Sequence, residues 1–234
     1  MRGLGVAART WDVADNERGD LTQRSVLAKL RGEVLQGRIA GAMLAPPCGS
    51  FGPAGNRRKP LRTAARPWGR AAAELTEHEQ QRVKTGNATA KASLEILSWL
   101  NRVRTPWILE HPHGSYLWQT KQMQKVLAEC EVFVVDQCRF GAKWRKRTRL
   151  ACGNLEEQDV EIFKDKLRRG AKGCCSTTGW PHWILSGAEK GRDRTSLAAA
   201  YPSRLAAALA RCLTSVLRSS IYNKPSGYKP SRGT

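Results

Sequence analysis

The stretch Ile39-Ala40-Gly41-Ala42-Met43-Leu44-Ala45-Pro46-Pro47-Cys48-Gly49-Ser50-Phe51 decides how this chain is read. An apolar run of strand length ends on two prolines, one cysteine and small residues. Proline fixes its own φ and restricts the residue before it, so the turn is stiff. The spacing predicts a short buried strand, Ile39 to Ala45, feeding an open turn that carries Cys48. A cysteine placed there is either packed at a strand end or held out for chemistry, and this stretch by itself leaves both readings open.

Working outward, Val26, Leu27, Leu30, Val34 and Leu35 recur at helical spacing over Asp20 to Gln36, and Gly37 sits where a helix-ending glycine belongs. Thr76-Glu77-His78-Glu79 has the form of a capping box opening a long helix through Val103, with Leu94, Leu97 and Leu100 on its buried side. Strands are expected at Trp107 to Leu109 and at Val132 to Val135, with a helix from Gln119 to Glu129 between them. Shorter apolar pieces at Thr148 to Cys152 and Trp183 to Leu185 are further strand candidates, and Leu205, Leu209, Cys212, Leu213 and Val216 mark a final helix.

Alternating helix and strand predicts an α/β fold, a Rossmann-like and mostly parallel sheet with flanking helices. The expected division is a core over 1–153, a small variable, target-recognition-like region over 154–194, a helix over 195–219 returning to the core, and a disordered basic tail over 220–234. In an open parallel sheet the ligand site lies beyond the carboxyl ends of the strands. Cys48, Glu110 and Gln137 each follow one of the three best strands, so the pattern brings them to one edge.

Forty Lys and Arg against 20 Asp and Glu give 234 residues a formal charge of +20. Such an imbalance calls for a polyanionic partner, and nucleic acid is the expected one. No run approaches the ~18 apolar residues of a spanning helix, so no membrane partner is expected. The N-terminus lacks a secretory apolar segment, which points to an intracellular protein, nuclear in a eukaryote. Seven cysteines at irregular spacing do not form a disulfide pattern. Cys152, Cys174, Cys175 and His182 are the zinc candidates, but adjacent cysteines lack the paired spacing of tetrahedral sites, and no metal is assigned. Cys130, Cys138 and Cys212 read as packing residues, and His78 and His113 as surface or capping residues.

The ordered set Pro46-Pro47-Cys48, Glu110-His111-Pro112, Phe140-Gly141 and Arg145-Lys146-Arg147-Thr148-Arg149 resembles the motifs of cytosine-C5 DNA methyltransferases, the divergent phage and protist branch above all. Pro60-Leu61-Arg62, Leu117-Trp118, Cys175 to Gly179 with Pro181-His182, and Ala200-Tyr201-Pro202 extend the likeness over residues 4 to 214. The resemblance implies that Cys48 attacks C6 of a cytosine flipped out of the stack, while Glu110 contacts N3 and the 4-amino group. It implies S-adenosylmethionine as methyl donor, held by Asp12 (closing a strand from Val6 to Trp11), Asp20, Leu21 and Pro46. The branch usually has Asn where His111 stands, and Ser where Gly52 stands.

The family's opening strand and Phe-x-Gly-x-Gly loop have no counterpart, so the fold is expected to be N-terminally truncated, with a small C-terminal appended region. That absence leaves a second expectation beside the methyltransferase: a catalytically inactive, nucleic-acid-binding remnant. DNA contacts are expected from Arg57, Arg58, Lys59 and Arg62 after the cysteine turn, and from Lys143, Trp144, Arg145, Lys146 and Arg147. Trp144 reads equally as a base-stacking platform and as a half-buried structural tryptophan.

Overall fold

Thr76 Oγ1 accepts a hydrogen bond from the Glu79 amide at 3.3 Å, and the Glu79 carboxylate accepts one from the Thr76 amide at 2.8 Å, so the expected capping box starts helix α2 (Glu77–Arg102). Leu97 and Leu100 on this helix are fully buried. Helix α1 (Arg24–Leu35) begins later than its apolar pattern does. Asp20 to Gln23 form a turn in which the Asp20 carboxylate accepts from the Thr22 amide and hydroxyl at 2.9 and 2.7 Å. Gly37, at φ +68°, closes α1 in the left-handed conformation that glycine adopts without penalty. The computed structural model describes residues 7–12, 19–52, 60–167, 173–185, 187–189 and 192–222.

The central sheet contains β1 (Ala42–Leu44), β2 (Trp107–Pro112), β3 (Glu131–Asp136) and β4 (Arg147–Gly153), in the order β1-β2-β4-β3. Helix α3 (Lys121–Leu127) lies between β2 and β3 in sequence. β1 and β2 are parallel, and β4 is antiparallel to both β2 and β3. The sheet is therefore mixed, with most of its pairings antiparallel, and the expected mostly parallel sheet is corrected. The reason lies in the connection 137–146, which is too short for the helical crossover that parallel pairing needs. The chain turns back and inserts β4 between β2 and β3. Even so, β1, β2 and β3 all run the same way, and their carboxyl ends reach one edge of the sheet.

Side chains alternate across the sheet with period two. From β2, Trp107 and Leu109 enter a core with α1, α2 and Met123, whereas Ile108 enters a second core on the opposite face. That second core is completed by α4 (Glu157–Val160), Phe163 and the long helix α6 (Ser203–Tyr222). Gly41 permits the close approach of α6, since a Cβ there would lie 2.6 Å from the Leu213 carbonyl. A two-stranded ribbon, β5 (Ala188–Glu189) with β6 (Arg192–Asp193), leads into the short helix α5 (Arg194–Leu197).

Other boundaries shift as well. β2 continues through Glu110, His111 and Pro112, which stay paired to Leu150, Arg149 and Thr148. Residues 7–12 are irregular, so the described part of the expected Val6 to Trp11 strand is not one, and Trp183 to Leu185 form no strand. Val160 and Phe163 place the start of the 154–194 region in the second core. Helix α6 runs to Tyr222, past the expected start of the tail at 220, and the tail from 223 lies outside the described residues. No helix among the described residues is long and apolar enough to cross a membrane.

Candidate active site

The Cys48 turn is built by its neighbours. The Gly52 amide donates to the Cys48 carbonyl at 2.6 Å, and the Tyr116 amide donates to the Phe51 carbonyl at 3.1 Å. Arg82 reaches the Gly49 carbonyl from α2 at 2.9 Å. Gly86 on the same helix lets the turn press inward, because a Cβ there would stand 2.3 Å from Ser50 Oγ. Behind the turn lies Arg62, fully buried. It donates to Ser50 O, Ser50 Oγ, Pro67 O, Asn87 Oδ1 and Val83 O, and its guanidinium lies 3.5 Å from the centre of the Phe51 ring. Desolvation lowers its pKa to about 10. Arg62 is thus a clamp inside the fold, which corrects its expected place on a nucleic-acid-binding surface.

Cys48 is the exposed member of the seven free cysteines; the others are buried or half-buried. Although the residue is exposed, the surrounding turn desolvates its thiol enough to hold the pKa above the ordinary value. Lys146 opposes that shift and Glu110 adds to it. Glu110 is itself 7% exposed. Its position on β2 puts it on the same face as Ile108, toward α6, and Tyr201 donates its hydroxyl proton to Oε2 at 2.9 Å. Oε1 is buried without a hydrogen-bond partner. Burial raises the Glu110 pKa, while Lys146 and the Tyr201 hydrogen bond act to lower it.

Lys146 links the two reactive groups. It takes an unusual φ of +21° between Arg145 and Arg147, so the three side chains part company. Arg145 and Arg147 turn back to the buried Asp136 carboxylate at 3.2 and 3.1 Å. Lys146 donates to the Ala198 carbonyl at 3.0 Å, and its charge favours both the Cys48 thiolate and the Glu110 carboxylate. Tyr201 in turn responds to the charges of Glu110 and Cys48, with burial pushing its own pKa upward. Cys48, Glu110, Lys146 and Tyr201 therefore form one electrostatic group at the sheet edge. Tyr201 had no assigned role in the sequence, because nothing in Ala200-Tyr201-Pro202 says which strand the ring will face.

Gln137 reaches the same edge but is fully buried, bonded to Thr148 at 3.4 Å and to the Trp144 indole at 3.0 Å. Trp144 is half-buried in that contact, and Lys143 lies over the Trp183 ring at 4.5 Å. His111 occupies the other face from Glu110. Its ring packs edge-on to Phe51 and Trp118, and burial lowers its pKa to about 3. The carbonyls of Pro46 and Pro47 approach the ring and favour its cation, yet neither ring nitrogen has a hydrogen-bond partner. His111 thus supports the Pro-Pro turn from beneath.

The residues expected to hold the cofactor make local contacts. Asp12 lies against Gly19, where a Cβ would stand 2.7 Å from the Asp12 backbone. The Asp20 carboxylate is spent on Thr22 and Gln23, which hold its pKa below the ordinary value. Leu21 packs onto the first core. Asp12 is exposed, and Asp20, Leu21 and Pro46 are half-buried. Arg57, Arg58 and Lys59 lie outside the described residues. No protein-family model, curated protein or solved structure matches the chain.

Proposed function

We propose that this protein is a cytosine-C5 DNA methyltransferase-like protein whose described residues carry the capture of the base. The observation that bears most weight is the pairing of the exposed Cys48 with a buried Glu110 whose Oε1 has no partner. Burial favours the protonated form of the Glu110 carboxyl, the form that donates to a ring nitrogen. In this reading Cys48 loses its proton to solvent, and the thiolate bonds to C6 of cytosine. The C5–C6 π electrons move toward N3, where the Glu110 proton is received. Lys146 stabilises the thiolate beforehand, and Tyr201 orients the carboxyl group.

The methyl donor in the family is S-adenosylmethionine, which would supply an electrophilic methyl group when bound. The Asp20 carboxylate, expected among the residues that hold the donor, is already engaged by Thr22 and Gln23, and this favours a second reading: a catalytically inactive nucleic-acid-binding remnant that keeps the basic surface without base capture or methyl transfer. Both readings take DNA as partner. They are supported by the net charge of +20 and by a groove lined by Arg139, Lys166, Arg204 and Arg211 between the 139–140 turn and α6.

The test uses DNA carrying 5-azacytosine, whose electron-poor ring accepts a thiol at C6 without a cofactor. An adduct that survives denaturation is expected with the wild type and not with Cys48→Ser. Salt-sensitive DNA binding without any adduct would favour the remnant.

A further inference from the structure

We propose that Cys138, Cys175 and His182 form a zinc site fastening the 173–185 hairpin to the end of β3. Their ligand atoms all lie within 4.8 Å of one another. Tetrahedral zinc with Zn–S near 2.3 Å and Zn–N near 2.0 Å places its ligands about 3.5–3.8 Å apart, so a small contraction completes the geometry. Cys138 is 3% exposed and Cys175 is 6% exposed, on segments far apart in sequence. His182 Nε2 is buried with no hydrogen-bond partner.

The hairpin register accounts for the ligand set. Cys174 bridges Pro181, the Cys175 amide donates to the Trp180 carbonyl, and the His182 amide donates to the Gly173 carbonyl, each at 2.8 Å in the last two. Alternation then places Cys175 and His182 on one face as a diagonal pair and Cys174 on the other. This is why the adjacent cysteine is not in the cluster. The Thr177 amide also points at Cys175 Sγ from 3.4 Å, a donor suited to a metal-bound thiolate. Cys152, which the sequence grouped with these residues, lies instead in the second core on β4.

A second observation is that the hairpin has little apolar material of its own. Trp180 is 75% exposed and Ile184 is 70% exposed. Its ties to the rest of the fold include hydrogen bonds from Arg139 to Thr177 at 2.8 Å and from the Trp183 amide to the Lys143 carbonyl at 2.9 Å, and Lys143 and Arg194 over the Trp183 ring. A unit this small and this open is held by a staple such as a metal or a disulfide. Zinc accounts for the histidine as well as for the two thiols. Binding releases both thiol protons to solvent and leaves the fourth position to a water molecule.

The test is the metal content of the full chain purified under reducing conditions and reconstituted with zinc. One zinc per chain is expected, together with a thiolate-to-metal charge-transfer band when cobalt replaces it. Cys138→Ser, Cys175→Ser and His182→Ala should each lower zinc affinity by at least about tenfold. Cys174→Ser, Cys130→Ser and Cys48→Ser should keep the metal. A wild type that binds no zinc, a Cys138–Cys175 disulfide in its place, or loss of metal in Cys174→Ser would overturn the assignment. Because the first two outcomes are read on the wild type, misfolding of a variant does not confound them.

Discussion

Tyr201 donates its hydroxyl proton to Oε2 of Glu110 across 91 residues of chain, and Oε1 of the same carboxylate is buried without a partner. A buried carboxyl group with half its hydrogen-bonding capacity unmet costs stability. One oxygen is fixed by the fold, and on the function proposed above the other is the one that meets the base.

Tyr201→Phe removes a donor that favours the carboxylate, so the Glu110 pKa rises further. Base capture requires the protonated acid together with the Cys48 thiolate, and the thiol loses its proton at higher pH than the carboxyl, so the acid limb of the pH profile follows Glu110 and the alkaline limb follows Cys48. The acid limb should therefore move to higher pH in Tyr201→Phe, while poorer orientation slows capture at its optimum by roughly tenfold. The check is the rate of adduct formation with 5-azacytosine DNA across pH. An unchanged profile would remove Tyr201 from the site.

Lys146→Met should act on the thiol. Lys146 lowers the pKa of both Cys48 and Glu110, and its removal raises both. Alkylation of Cys48 by iodoacetamide, followed against pH, should shift to higher pH in the variant. Lys146→Arg should shift less, since it keeps the charge.

The sequence made the carboxyl edge of the sheet legible because strands that end on Pro-Pro-Cys and Glu-His-Pro announce themselves through proline and periodicity. It was silent on sheet order, since a short connection such as 137–146 fits either an edge hairpin or an inserted strand. The burial of Arg62 was hidden for a related reason. An arginine in a basic loop looks solvated until Ser50, Asn87 and Phe51 are folded around it. Cys138 was likewise read as packing, because its two ligand partners lie on a hairpin more than thirty residues away.

Arg62→Ala should destabilise the fold by roughly 3 kcal/mol, since it strands several buried acceptors at once. Non-specific DNA affinity should stay as it is. Urea unfolding and a salt-dependent binding titration on the same sample check both halves. The opposite pattern, intact stability with weakened binding, would restore Arg62 to the DNA surface.

His111 should make the fold acid-sensitive. Its pKa falls from 6.5 to about 3 on folding, so the unfolded chain binds the proton more readily between those values. The stability it contributes is complete above about pH 6.5 and is lost as pH falls toward 3, about 2 kcal/mol of it by pH 5. Urea midpoints at pH 7 and pH 5 should differ accordingly, and His111→Asn should remove this part of the difference.

The proposed function has Cys48 bonding to a cytosine held by Glu110. The most direct measurement is peptide mapping by mass spectrometry of protein reacted with DNA containing 5-azacytosine. The base is expected on the Cys48 peptide alone among the seven cysteine positions, with little or none in Glu110→Gln. No adduct, or one carried by another cysteine, would contradict it.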